Sequence, residues 1–213
     1  MKKIIPIFIT LMVAIALMAA CAASAPEANT TLPYVSVSFD YGEGLRYAPS
    51  YAVWIEDEDG NTSTLFATAK AAADNWGGQQ RPSVLPIWKG IREADVISGA
   101  TPKGKAELTL NIPEAFMDKK LTLFVEANAS FDYNDYYAED LSEGDEGYSN
   151  VNGQPSALWS VDIDTSAESG SLSPDLAGTG EVLGADHELH SAEHLTTAAS
   201  LLSNIEATWQ MGE

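Results

Sequence analysis

From Pro33 onward the chain alternates between apolar and polar positions. Val35, Val37 and Phe39 are separated by Ser36, Ser38 and Asp40, a period of two that sends apolar side chains to one face of a strand. Ala106 to Ile112 repeats the alternation with Glu107, Thr109 and Asn111 outward, and Leu121 to Ala127, Ala157 to Asp164 and Ile205 to Trp209 predict further strands. Tyr51 to Ile55 breaks the rule by being apolar at every position, which predicts a central strand covered on both sides. Asp59-Gly60 and Asn61 then supply hairpin-turn residues that tolerate positive φ, so Thr62 to Ala67 is its partner. Ser83 to Lys89 also reads as a strand, held to an edge or a bulge by Pro86.

Helix is scarce in this pattern. Lys70 to Asn75 carries helix formers for one or two turns, stopped by Trp76-Gly77-Gly78. Near the end, Ser191 to Ser203 predicts one short C-terminal helix, with Ser191 as cap and Leu195, Ala198, Ala199 and Leu202 as its apolar stripe. Seven or eight short strands without a βαβ rhythm predict an all-β fold, an antiparallel immunoglobulin-like β-sandwich, with a closed barrel as the rival. Residues 131–156 interrupt the strands with a polar, aromatic and acidic excursion. Loops of that length in folded domains carry function or are disordered, and the tyrosines argue against disorder.

The first 32 residues lack this alternation. Lys2-Lys3, an apolar run from Ile4 to Leu17 and small residues before Cys21 predict a signal peptide over residues 1–20. Leu17-Met18-Ala19-Ala20-Cys21 resembles a bacterial lipobox, which implies cleavage before Cys21 and lipidation of its sulfur. Residues 21–32 are small, polar and Pro-containing, a flexible tether to a single domain over residues 33–213. The expected address is the cell envelope, with the domain extracytoplasmic and the membrane its partner through the lipid anchor. Cys21 is the single cysteine, so no disulfide staples the fold.

Charge narrows the partners. The chain carries a formal −20, and losing Lys2 and Lys3 with the leader makes the mature protein more acidic still. No Lys or Arg follows Lys120. Nucleic acid is excluded as a ligand, because its binding depends on cations that neutralise phosphates.

Three candidate chemistries remain. Asp95-Val96-Ile97-Ser98-Gly99-Ala100-Thr101 resembles the sequence on which bacterial flavin transferases attach FMN to a threonine. That likeness implies Thr101 as the attachment point within Asp95, Ser98, Gly99 and Ala100, and Trp88 or Trp76 then offers a ring for stacking. The acidic loop supplies Asp132, Asn134, Asp135 and Glu143, oxygen ligands suited to calcium or another divalent metal. Asp132, Asn134 and Glu143 occupy positions one, three and twelve of an EF-hand, but Tyr136 and Tyr137 stand at five and six, so only a non-EF site is expected. His187, His190 and His194 fall at helical spacing; with Ser191 as a cap, His190 and His194 remain the metal candidates. No catalytic constellation is readable from spacing.

The order of motifs carries a further likeness. Ala52 to Asp57 with Asp59-Gly60, then Leu85-Pro86-Ile87-Trp88, Asp95 to Thr101 and Glu126-Ala127, resembles an uncharacterised bacterial family of predicted periplasmic proteins. Its members are labelled as a domain of unknown function and are sometimes misnamed after the flagellar hook-capping protein. The resemblance covers about Tyr34 to Asn128 and implies an extracytoplasmic β-sandwich encoded near flavin transferases and envelope redox proteins. The expected role is a membrane-anchored, non-catalytic binding or accessory module beside an envelope flavin redox system. An electron carrier with FMN on Thr101 and a divalent-metal-binding protein are the alternatives.

Overall fold

The structure, a computed structural model, describes residues 33–92 and 96–212. The expected signal peptide 1–20, Cys21, the tether 21–32 and Asp95 lie outside the described residues.

The described chain is all-β with a few short helices, built as two sheets. Strands β1 (Tyr34–Tyr41), β5 (Lys105–Asn111), β8 (Ser169–Leu172) and β10 (Leu202–Gln210) form a four-stranded sheet in the order β5-β1-β10-β8. The larger sheet holds β2 (Ser50–Asp57), β3 (Thr62–Thr68), β4 (Ser98–Gly99), β6 (Lys120–Asn128), β7 (Ala157–Asp164) and β9 (Asp175–Thr179), ordered β4-β3-β2-β6-β7-β9. Neighbours run antiparallel, with one departure from expectation: β4 lies parallel to β3. Neither sheet closes on itself, so the barrel alternative falls.

Alternation in sequence becomes the core. Val35, Val37 and Phe39 of β1, Leu108 and Leu110 of β5, and Ala207 and Trp209 of β10 meet Val53 and Ile55 of β2, Leu123 and Val125 of β6, and Trp159 and Ile163 of β7 in one buried cluster. The β2–β3 turn is held by Asp57, whose carboxylate accepts the backbone N–H of Asp59 and of Asn61, the Asn61 amide and Lys119 Nζ at 2.7 Å. Lys119 and these donors keep its carboxyl well below the usual carboxylate range.

The larger sheet is covered on its other face as well. Ala52, Trp54, Ala67 and Leu158 form a second buried cluster with Ala71 of helix α1 (Ala69–Ala73) and with Val84, Leu85 and Trp88. This accounts for the fully apolar β2. Trp54 also stacks on Phe124 at 5.1 Å between centroids.

Two expected elements are overturned. Ser83 to Lys89 is no strand; helix α2 (Pro86–Ile91) begins inside it, with Pro86 in the first turn, where its missing N–H costs nothing. The C-terminal helix over Ser191 to Ser203 is absent, and only a 3-10 turn forms at Thr197–Ser200. There the side-chain oxygen of Gln154 accepts the N–H of Thr196 at 2.6 Å and of Ala198 at 3.4 Å, His190 pairs with Thr179 through the backbone, and the bonds within the segment are turns, Leu195 to Ala192, Ala199 to Thr196 and Leu201 to Ala198, rather than a helical ladder. Strands β8 and β9 escaped the periodicity because Ser-Gly-Ser-Leu and Asp-Leu-Ala-Gly-Thr lack an apolar face.

The burial pattern sets a stability test. Leu123→Ala, which empties a fully buried site on a central strand, is expected to lower unfolding free energy by about 2–5 kcal/mol in urea titration. Leu172→Ala on the exposed edge strand is expected to stay within about 0.5 kcal/mol of wild type. Equal effects would contradict the assignment of the core.

Candidate binding cleft

One buried acid fixes how the outer layer sits. Glu126 of β6 points away from the main core and is fully buried. Its carboxyl accepts the N–H of Trp88 at 2.8 Å, the N–H of Ile87 at 3.4 Å and the Ser156 hydroxyl at 2.6 Å, so it serves the first-turn donors of α2 from across the sheet. Trp88 is locked a second time, its indole N–H donating to Thr64 Oγ1 at 3.0 Å. Burial raises the Glu126 pKa to about 7 against the opposing pull of these donors.

With α2 fixed, the segment before it is held at the end of the sheet where β2 begins and β3 and β6 finish. Tyr51 N–H donates to Thr68 Oγ1 at 3.2 Å, and Ser50 pairs with Asn128, so the three strand ends share one edge. A cleft of about 250 Å³ opens there, lined by Tyr47, Lys70, Trp76, Gln79, Arg81 and Phe131 among others. Its walls come from the loop before β2, the turn after α1 and the start of the 131–156 excursion.

Each wall has a local cause. Asp74 ends α1 in a left-handed conformation, and Gly77 and Gly78, both at positive φ, turn the chain so that Trp76 N–H meets the Gln79 carbonyl at 3.0 Å. Lys89 Nζ ties the turn down, donating to Asp74 at 2.7 Å and to the Arg81 carbonyl at 2.6 Å, 5.6 Å from the centre of the Trp76 ring. Phe131 takes positive φ, and its N–H donates to the Val151 carbonyl at 3.1 Å, bringing its ring 5.7 Å from Tyr47. Arg46 lies over both rings, 4.8 Å from Phe131 and 5.6 Å from Tyr47.

Arg81 is the part-buried cation of the cleft. One terminal nitrogen donates to the Ser130 hydroxyl at 2.6 Å and the other to the Asn152 side-chain oxygen, while Nε is buried without a partner. Burial lowers its pKa from the ordinary arginine value. Among the described residues no carboxylate reaches ion-pair distance of Arg46, Lys70 or Arg81.

The residues singled out from sequence are placed as follows. Ser98 and Gly99 form β4, with Gly99 close against the Phe66 ring, and Ala100 is exposed. Thr101 is half-buried, its hydroxyl donating to the Pro49 carbonyl at 3.5 Å. Trp88 is fully buried and offers no face for stacking, whereas Trp76 lines the cleft. Asp132 accepts the Thr197 hydroxyl at 2.6 Å and Gln154 Nε2 at 3.0 Å; Asp135 and Glu143 are exposed. Asn134 donates to the His194 carbonyl at 2.9 Å, and the His194 ring stacks on Tyr136 at 3.7 Å. His190 bonds Asp186 at 2.9 Å. Asn134, Asp135 and His194 thus line one open cleft, but among the described residues no three His, Cys, Asp or Glu side chains are grouped to hold a metal ion.

The aromatic and basic cleft was not singled out in advance. Its only local signal is aromatic residues in strand-flanking loops beside cations and amides, Arg46-Tyr47 and Trp76 to Arg81. No family model, curated protein or solved structure matches the chain.

Glu126 yields a pH test with a defined sign. Its folded pKa of about 7 lies above the ordinary 4.5, so its stabilisation is full below about pH 4.5 and is lost as pH rises through 7. Glu126→Gln keeps the shape and a carbonyl for the Trp88 N–H, and is expected to flatten that part of the pH–stability profile. Glu126→Ala strands the α2 donors and is expected to cost on the order of 3 kcal/mol at pH 5 by urea unfolding.

Proposed function

We propose that this protein is a lipid-anchored, extracytoplasmic binding module that recognises a small ligand in the cleft between Tyr47, Trp76 and Phe131. The observation that carries the reading is the gathering of exposed Tyr47, half-buried Trp76 and Phe131, and cations without a carboxylate partner among the described residues, from three separate chain segments, on an otherwise acidic protein. Aromatic faces with a few convergent polar groups are the usual make-up of a ligand site. The β-scaffold is read as immunoglobulin-like in the broad sense of two antiparallel sheets over one core, with the parallel β3–β4 pair as its departure. The address rests on the lipobox-like ending at Cys21, and a place beside an envelope flavin redox system rests on the family resemblance alone.

An electron carrier with FMN on Thr101 is the second reading. In its favour, the Thr101 hydroxyl meets the carbonyl of Pro49, whose neighbours Ala48 and Tyr47 line the cleft. In that case the exported protein, made with a flavin transferase, is yellow after denaturation and Thr101→Ala is colourless. Equal intact masses for the two, after allowing for the substitution, would remove this reading.

The address is tested by labelling. Wild type grown with a tagged fatty acid is expected to take the label and sediment with membranes, and Cys21→Ser to do neither. A Cys21→Ser protein that is processed and pelleted normally would overturn the anchor. For the cleft, a thermal-shift screen of small molecules is expected to find compounds that stabilise wild type but not Trp76→Ala; a screen in which every hit persists in Trp76→Ala would count against it.

A further inference from the structure

Resting on the reading of the cleft as a binding site, we infer that its ligand is a small monoanion that joins a carboxylate to one ring, an acidic sugar or an aromatic acid. Charge is the first reason. The chain bears a formal −20, yet Arg46, Lys70 and Arg81 converge on one edge without a carboxylate in ion-pair range among the described residues. Lys89, by contrast, is matched by Asp74 at 2.7 Å.

Arg81 sharpens the point. A guanidinium partly withdrawn from water favours a countercharge, and here its partners are a neutral hydroxyl and a neutral amide, with the buried Nε bonded to nothing among the described residues. A ligand carboxylate supplies the missing charge. Lys70, exposed at the rim, adds a second cation that draws the anion in and gives way easily to solvent.

Ring and size follow from the walls. Trp76 and Tyr47 place aromatic surface on the cleft beside Arg81 and Arg46, suited to a ring that carries a negative charge, while Gln79 and Ser130 offer hydrogen bonds. A volume of about 250 Å³ lies below the usual range for drug-sized ligands and suits one ring rather than a chain. The surrounding acidity sets the ligand's charge, since repulsion from the rest of the surface grows with each negative charge carried. A singly charged carboxylate is favoured over phosphate esters.

The test is titration of the full chain, purified in detergent, with glucuronate, benzoate, glucose and inorganic phosphate, read by tryptophan fluorescence and calorimetry. Glucuronate or benzoate is expected to bind and glucose and phosphate not to; which of the two carboxylates binds decides between sugar and aromatic acid. Lys70→Gln, at an exposed site, is expected to weaken binding about 2- to 5-fold. Arg81→Met is expected to weaken it at least tenfold. Because Arg81 also ties Ser130 to Asn152, Trp76→Ala serves as the independent variant that must abolish binding while the melting curve stays cooperative. Glucose or phosphate binding that depends on Trp76 would overturn the carboxylate assignment and leave the cleft reading intact. Carboxylate binding unchanged in both Trp76→Ala and Lys70→Gln would overturn the site itself, and no response to any of the four would overturn the inference.

Discussion

The six-stranded sheet has to be buried on both faces, and the rest of the molecule is arranged around that demand. Its central strand β2 offers Val53 and Ile55 to one side and Ala52 and Trp54 to the other, so leaving either face in water exposes large apolar area. The four-stranded sheet answers on the inner side. Among the described residues the outer side has no third sheet and is covered by two short helices and the segments around them.

Short helices make a poor cover unless something fixes them, because a helix of five or six residues has little stability of its own. Glu126 supplies that fixing for α2. By serving the first-turn donors of α2 and the Ser156 hydroxyl at once, it links the sheet, the helix and the strand β7 that follows Ser156. The cost is a carboxyl held in a dry place, which raises its pKa to about 7 and makes the anchoring of the outer layer sensitive to protons in the neutral range. Lys89, on the same helix, carries the connection to the cleft, since its ammonium group holds both Asp74 and the Arg81 carbonyl.

Charge segregation then acquires a spatial meaning. In sequence, cations simply stop at Lys120. In space, Arg46, Lys70 and Arg81 are drawn to the same strand ends because β2, β3 and β6 begin or finish there, while Lys119 and Lys120 lie at the opposite end near Asp57 and Asp164. The acidic 131–156 excursion contributes to both sides of this division. Phe131 enters the cleft wall, whereas the next residue, Asp132, is occupied by Thr197 and Gln154.

What the sequence determined alone was the set of strands with strict alternation and the double-sided burial of β2, because a period of two leaves one geometric solution for where apolar side chains go. It also determined the charge asymmetry. Local pattern misread the stretch around Pro86 and the segment after Ser191, where the deciding partners are Glu126, 38 residues from Trp88, and Gln154, 42 residues from Thr196. The cleft was decided at the tertiary level too. Tyr47, Trp76, Arg81 and Phe131 share no spacing or motif; they meet because three strands end at one edge, and strand pairing over long sequence separations is a property of the whole chain that no window of residues contains.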